Sequence, residues 1–473
     1  MIFSAPIFLA AFLPSVLFFY FSLPWKNTIL LCFSLIFYAW GEPTYLFLLL
    51  ASTGINYFLA ILISRYKKIN KLLITTGIVM NLSALAVFKY LGFIIGNINQ
   101  ALSVCHIPTI PMIQLPLPLG ISFFTFHAIS YLIDVYRGDC KAEKNIENFS
   151  LYMALFPHLV AGPIVRFREI SERIRHRTVD LSLFSRGIER FIAGFAKKVL
   201  IADTLALSVD LIFQIPSKEI PGFLAWTGSF LFALQIYFDF SGYTDMAVGL
   251  ANMFGFEFPE NFNFPYTSQS IREFWKRWHM TLSRWLRDYL YFPMGGNRAG
   301  KLRTFFNLTV VFFLCGLWHG ASWTFVVWGL WHGFFLMLEH TKFSSVLERF
   351  PSFLRRAYVL FVVLVSWVFF RSTSIRQAIH FIEALSGAHG WTHPAHPVRL
   401  YADALTMILA AVGCATSLPA KPWLDKMFQK ADFLSRAFGI VYAGRFCYYS
   451  FIFIITLSVM AFQTHRAFIY FRF

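Results

Sequence analysis

Two histidines mark where chemistry can happen in this sequence. His319 lies in CGLWHGASW (315 to 323), inside a stretch from Thr304 to Leu338 that carries no formal charge. An imidazole titrates near neutrality, so it can take a proton from a hydroxyl and hand it on. An ionisable group at membrane depth is costly enough to mark a functional position by default. The plainer possibility is a core imidazole satisfied by a backbone carbonyl, and His332, which also follows a tryptophan, is read that way. Cys315 precedes His319 by four residues and so shares its helical face. A thiol beside an imidazole can act as a nucleophile, whereas buried cysteines commonly serve as small apolar side chains; both readings stay open.

The second histidine, His279, falls within SIREFWKRWHMTLSRWLRDY (270 to 289). At 100° per residue Phe274, Trp278, Leu282, Trp285 and Tyr289 form one stripe, and Arg272, Lys276, Arg277, Arg284 and Arg287 occupy the rest. That pattern predicts one amphipathic helix at the membrane interface, rings in the acyl boundary and cations toward water and phosphates, with His279 at the edge between the faces. Asp239, Ser241, Tyr243 and Asp245 in YFDFSGYTD form a further polar set at the end of an apolar pass.

The elements that must position these residues are membrane helices. Of 473 residues, 57% are hydrophobic, 19% aromatic and only 14% charged, which is too apolar for one soluble core. Charge-free runs near the roughly 20 residues that span a bilayer recur at 1 to 25, 44 to 64, 72 to 88, 220 to 238, 404 to 420 and 446 to 464. The first 25 residues contain no Lys or Arg, which predicts a retained first helix and not a cleaved leader. The six cysteines are scattered without CxxC or Cys/His spacing, so neither a disulfide framework nor a structural metal is expected. The net charge of +17 sits in short stretches between apolar runs. It therefore reports orientation, with Lys and Arg kept cytoplasmic, and not nucleic-acid binding.

Three basic stretches, Arg65 to Lys71, Arg166 to Arg177 and Arg272 to Arg303, should share the cytoplasmic face. Two passes (about 72 to 96 and 119 to 133) separate the first two, and two more (about 187 to 213 and 223 to 250) separate the last two. Counting back through 44 to 64, 27 to 40 and 2 to 24 places the N-terminus outside. The run Phe156 to Pro163 is too short to span and is broken by Pro and Gly, which predicts a segment that dips in and returns. The run from Thr304 to Leu338 is too long for one pass and predicts two helices meeting at His319 to Ser322. Residues 387 to 400 read as an external loop whose His389, His393 and His396 are solvated. One domain, 1 to 473, is expected, with a motif core over about 115 to 340 and C-terminal helices over about 345 to 473.

The stretch over about 255 to 332, GFEFPENFNFPYTSQSIREFWKRWHMTLSRWLRDYLYFPMGGNRAG followed by FFLCGLWHGASWTFVVWGLWHG, closely resembles the membrane-bound O-acyltransferase (MBOAT) family. It is most similar to the bacterial branch of alginate and peptidoglycan O-acetyltransferases, with teichoic-acid D-alanyl transferases more distant. GISFFTFHAISYLIDVYRG (120 to 138), FPHLVAGPIVRF (156 to 167) and YFDFSGYTDMAVGL (237 to 250) carry the same likeness. The resemblance implies an all-α polytopic membrane protein of the bacterial cytoplasmic (inner) membrane. Its fold would be a ring of roughly ten to twelve transmembrane helices with re-entrant and interfacial helices around a central tunnel. It maps the essential histidine onto His319 and a second onto His279, and makes Asp239, Tyr243, Asp245, Cys315 and Trp318 candidates to line the tunnel.

The expected activity is O-acyl transfer from a cytoplasmic thioester, acetyl-CoA or an acyl carrier, to an extracytoplasmic polysaccharide. No bound cofactor or metal is expected. The donor would dock on Arg272, Lys276, Arg277 and Arg284, where cations attract its phosphates. The resemblance also implies a partner that passes the acyl group on, an SGNH-type acetylesterase-like protein or a small membrane peptide, since this chain carries no GDS-type serine motif. The competing classes are D-alanyl transfer to teichoic acid, a flippase for lipid-linked sugars, which would move its substrate without consuming thioester, and a membrane scaffold indifferent to both histidines.

Overall fold

The computed structural model describes residues 2–113, 115–216, 218–419 and 440–462, and every regular element among them is helical. Six helices are long and apolar enough to cross a membrane: Leu46–Arg65, Asn70–Val104, Gly222–Met253, Gly300–His319, Ser352–Arg371 and Ala443–Phe462. Shorter apolar helices lie at Phe8–Ser22 and Ala404–Thr416. The other expected passes are also helical: Lys26–Gly41, Ile121–Arg137, and a helix running from Leu181 to Gln214 through a π-turn at Lys197–Asp203. Large apolar side chains such as Phe18, Phe47, Phe58, Leu72 and Phe361 are exposed on the outer helices, where lipid and not water is the fitting solvent. Of the C-terminal helices expected over about 345 to 473, residues 420–439 and 463–473 lie outside the described residues.

The helix Gly222–Met253, roughly 48 Å long at 1.5 Å per residue, is buried over most of its length and forms the spine. It crosses the Leu181–Gln214 helix with the two backbones in contact. A Cβ at Gly187 or Gly194 would meet the carbonyl of Gly249 or Gly242 at 2.7 and 2.5 Å, and the reverse placements are equally closed. Small residues at such crossings let helices approach without hydrocarbon competing. Ion pairs lock the crossing: Asp245 with Arg190 (2.9 Å) and Lys197 (2.7 Å), and Asp239 with Lys198 (2.6 Å), which Asp203 of its own helix also holds at 2.6 Å.

The Thr304 to Leu338 run forms the hairpin expected from its length. Helix Gly300–His319 ends where Gly320 takes extended backbone, and Ser322 caps Trp323–Glu339 through a bond from the Thr324 amide. Gly316 and Gly329 sit where the two arms touch, each leaving no room for a Cβ against the other arm's carbonyls. The irregular stretch around Phe156 to Pro163 contains one helical turn, Phe156–Leu159, and is wholly covered by protein, the condition on which such backbone survives at depth.

The predicted single amphipathic helix over 270 to 289 is a correction. It is divided into Ile271–Arg277, Met280–Leu286 and a π-turn at Arg287–Tyr291, because His279 adopts left-handed backbone (φ +42°). Its stripe does not face lipid either. Phe274, Trp278, Leu282, Trp285 and Tyr289 are all buried against the protein core. Periodicity reports that one face is apolar and is silent on whether lipid or protein covers it.

Candidate active site

The break in the hairpin places His319 at the carboxyl end of its helix, about 27 Å along the axis from Lys301 at the basic start. The side chain is 3% exposed. Among the described residues the rings of Trp318 and Trp328, each with its centre 4.8 Å away and nearly perpendicular, and of Phe370 at 5.4 Å pack against it. Trp318 stacks on Phe126 (5.5 Å, 11°), and Trp285 stacks on the other end of that contact at 4.0 Å while donating its indole N–H to the Phe126 carbonyl. The GISFFTFH helix, the divided amphipathic segment and the WHG hairpin thus meet in one aromatic stack.

His279 faces Trp318 across this stack, with ring centres 6.0 Å apart, and is fully buried. Its left-handed corner turns the ring inward toward Asn261. Asn261 Oδ1 receives the Thr281 amide (3.2 Å) and the Thr281 hydroxyl (2.9 Å), and lies 3.0 Å from His279 Nδ1. A backbone amide can only donate, so this atom of Asn261 is the oxygen and His279 Nδ1 must carry the proton. Nε2, buried and without a hydrogen-bond partner, then bears the lone pair. Neutral His279 can accept a proton but cannot donate one from Nε2.

His332 is different. Its Nε2 lies 3.0 Å from Ser366 Oγ, whose own hydrogen goes to the Val363 carbonyl at 2.7 Å. Its N–H is therefore satisfied inside the core, by a serine hydroxyl and not by the backbone carbonyl expected from the sequence.

A cavity of about 570 Å³ is lined by Met280 and Cys315, near neighbours of His279 and His319 along the chain, but by neither of these two histidines themselves. Exposed Arg272, Lys276 and Arg287, with Arg284, stand at one end. Its buried wall follows the His319 helix through Leu308, Val311 and Phe312 to Cys315, one helical turn before His319. Arg284 Nε is buried there without a hydrogen-bond partner. Arg277 does not join this cavity. Its guanidinium is occupied by Glu273 (2.9 Å) and the Asn263 carbonyl (3.1 Å).

The remaining candidates stand apart from the cavity wall. Asp239 and Asp245 are held in the ion pairs of the central crossing, and Tyr243 stacks on Phe3 at 4.8 Å. The spine does reach the site, through Phe240, which packs edge-on against His279 at 4.7 Å.

The segment that carries the cavity's cations is tied to a second basic stretch. Arg166 pairs with Asp288 at 2.8 Å, so the 166 to 177 and 272 to 303 stretches meet at this point. Burial pushes the Asp288 carboxyl up, but hydrogen bonds from Arg287 and Arg166 reverse this and hold it below the usual carboxylate range.

Sequence reasoning did not single out Asn261 or Lys89. Lys89 approaches the carbonyl of Trp318 from the helix Asn70–Val104. A lone cation in an otherwise apolar pass was the available signal; Asn261 gave none. Among the described residues no group of three or more His, Cys, Asp or Glu side chains is placed to hold a metal ion.

The family model of the membrane-bound O-acyltransferases matches residues 143–377. The chain is 42% identical over 398 residues to a probable alginate O-acetylase, AlgI, of Azotobacter vinelandii, covering 83% of this chain and 79% of that protein. It is 36% identical over 435 residues to a peptidoglycan O-acetyltransferase of Helicobacter pylori, covering 82% and 80%. A teichoic acid D-alanyltransferase of Bacillus subtilis is 30% identical over 223 residues, covering 44% and 55%.

Proposed function

The chain belongs to the membrane-bound O-acyltransferase family, and from that premise we propose that it carries an acetyl group from a cytoplasmic thioester to the hydroxyl of an extracytoplasmic polysaccharide, alginate or peptidoglycan being the favoured acceptors. Acetyl transfer is preferred to D-alanyl transfer because likeness to the two O-acetyltransferases runs through four-fifths of the chain, and likeness to the D-alanyltransferase through less than half. The carrying observation is the cavity: cations at its exposed end, apolar walls, and Cys315 at its inner reach, one turn from His319. A thioester such as acetyl-CoA has matching parts, with phosphates for Arg272, Lys276 and Arg284 and a thin apolar arm that delivers the acyl carbon inward.

In this mechanism the neutral His319 imidazole takes the proton of the incoming hydroxyl as its oxygen bonds to the thioester carbonyl carbon. The tetrahedral oxyanion collapses, the carbon–sulfur bond breaks, and the proton passes from the imidazolium to the sulfur. The products are an ester and a free thiol. His279 packs against the same tryptophan and, with Nδ1–H committed to Asn261, offers a lone pair and so assists proton acceptance rather than oxyanion stabilisation. The hydroxyl belongs to the polysaccharide or to an extracytoplasmic SGNH-type or small membrane partner that passes the acetyl group on.

The test is thioester consumption by purified protein supplied with labelled acetyl-CoA and an acceptor. His319→Ala, shown folded by its melting profile, is expected to lose about 10²- to 10⁴-fold in rate, the range for a positioned general base. Retained turnover in that variant would remove His319 from the mechanism.

A further inference from the structure

The helix that presents His319 is held at its end by another helix. Gly320 (φ −174°, ψ +149°) stops the helix, and the last bond inside it, Gly320 N–H to the Gly316 carbonyl, is long at 3.4 Å. The next two carbonyls would be left without in-helix donors. Both find side chains of Asn70–Val104: the Tyr90 hydroxyl donates to the Leu317 carbonyl at 2.9 Å, and Lys89 Nζ donates to the Trp318 carbonyl. Beyond the break, the Trp323 indole donates to Asn97 Oδ1 of the same helix at 2.8 Å. The clasp therefore grips both sides of His319.

Two local features make it possible. The π-turn Ala86–Tyr90 shifts the helical register, which brings the consecutive residues Lys89 and Tyr90 to one neighbour; such turns cluster at functional sites. The carboxyl end of a helix also carries partial negative charge, which offsets the cost of a cation in an apolar pass. Lys89 Nζ lies 5.9 Å from the Trp318 ring centre as well, adding a weak hold on the residue that covers the imidazole.

We infer that Lys89 is a positioning residue for acyl transfer: it fixes the carbonyl end of the Gly300–His319 helix, and so the imidazole, relative to the inner end of the donor cavity, with Tyr90 as its second point of attachment. Lys89 does not line that cavity. The inference rests on His319 acting as the base, and its failure can be told apart from failure of that role.

The experiment compares initial rates of acetyl-CoA consumption against donor concentration in purified full-length variants. Misplacing a reacting group by about 1 Å can cost on the order of 10²-fold. Lys89→Met, which keeps length and removes the donor, is expected to lower kcat by about 10- to 100-fold with KM for acetyl-CoA unchanged, and Lys89→Arg to recover most of that loss. Tyr90→Phe is expected to lower kcat by a smaller factor, again without moving KM. It decides the matter alone if Lys89→Met does not fold. Wild-type kcat in both Lys89→Met and Tyr90→Phe, or a parallel rise in KM, overturns the inference; so does Lys89→Arg behaving like Lys89→Met. If those variants are fully active while His319→Ala is dead, the clasp is refuted and the base stands. If His319→Ala is active, the base itself is refuted.

Discussion

Replacing Asn261 with leucine separates what holds His279 from what holds the fold. Asn261 Oδ1 serves the His279 N–H, the Thr281 amide and the Thr281 hydroxyl, all buried. The hydroxyl can rotate to a new partner, but the other two donors are stranded. At about 1–3 kcal/mol for each unsatisfied buried group, with partial relaxation, Asn261→Leu should destabilise by about 3 kcal/mol. It also frees His279 to change tautomer or swing away, so kcat should fall at least roughly tenfold. Thr281→Val is the control. It leaves the His279 bond to Asn261 intact and strands the Ile164 amide, which donates to Thr281 Oγ1 at 3.1 Å. It should cost about 1–2 kcal/mol with kcat within a few-fold of wild type. Melting in detergent and acetyl-CoA turnover measure the two effects. If Asn261→Leu turns over as well as Thr281→Val, the tautomer carries no catalytic weight; if it also melts like the wild type, the hydrogen-bond account of the corner is wrong.

Neutralising Arg272, Lys276 and Arg284 together to glutamine should raise KM for acetyl-CoA about tenfold or more and weaken its salt dependence with kcat little changed. Arg277→Gln, whose charge is already occupied by Glu273, should leave KM unchanged, as a donor titration would show. Cys315→Ala should keep kcat within a few-fold, since the proposed transfer passes through no acyl-thiol; loss of activity together with an acetylated Cys315 in the wild type by mass spectrometry would establish the covalent route instead. The lowered carboxyl of Asp288 means its pairing adds stability above the ordinary aspartate pKa and loses it as pH falls through the lower folded value. The gap in melting midpoint between wild type and Asp288→Asn should accordingly be present at pH 7 and close as the medium is acidified below about pH 4.

How much of this was legible depended on the kind of signal. The hairpin at His319 could be read because a charge-free run too long for one pass and broken by glycine has few other solutions. The cations at the cavity mouth could be read from helical spacing, except that spacing cannot show Arg277 turning to Glu273. The corner at His279 was hidden because no glycine or proline marks it, and the left-handed backbone is imposed by burial and Asn261. Asp239 and Asp245 were recognised as functional candidates from their depth alone. Their partners Lys198, Arg190 and Lys197 lie on a helix some 50 residues away, so an ion-paired crossing had the same sequence signature as a polar passage. Lys89 shows the converse, a residue whose role comes from carbonyls more than 200 positions later.

The most direct test of the central claim uses proteoliposomes with the protein in one orientation, labelled acetyl-CoA on the face bearing Arg272 and Lys276, and the polysaccharide with its transfer partner on the other. Label should appear on the distant polysaccharide with wild-type protein and fail to appear with His319→Ala, while acetyl-CoA itself stays on its own side. Equal labelling by both proteins, or thioester consumed with all acetyl retained on the donor side, would contradict transfer through His319.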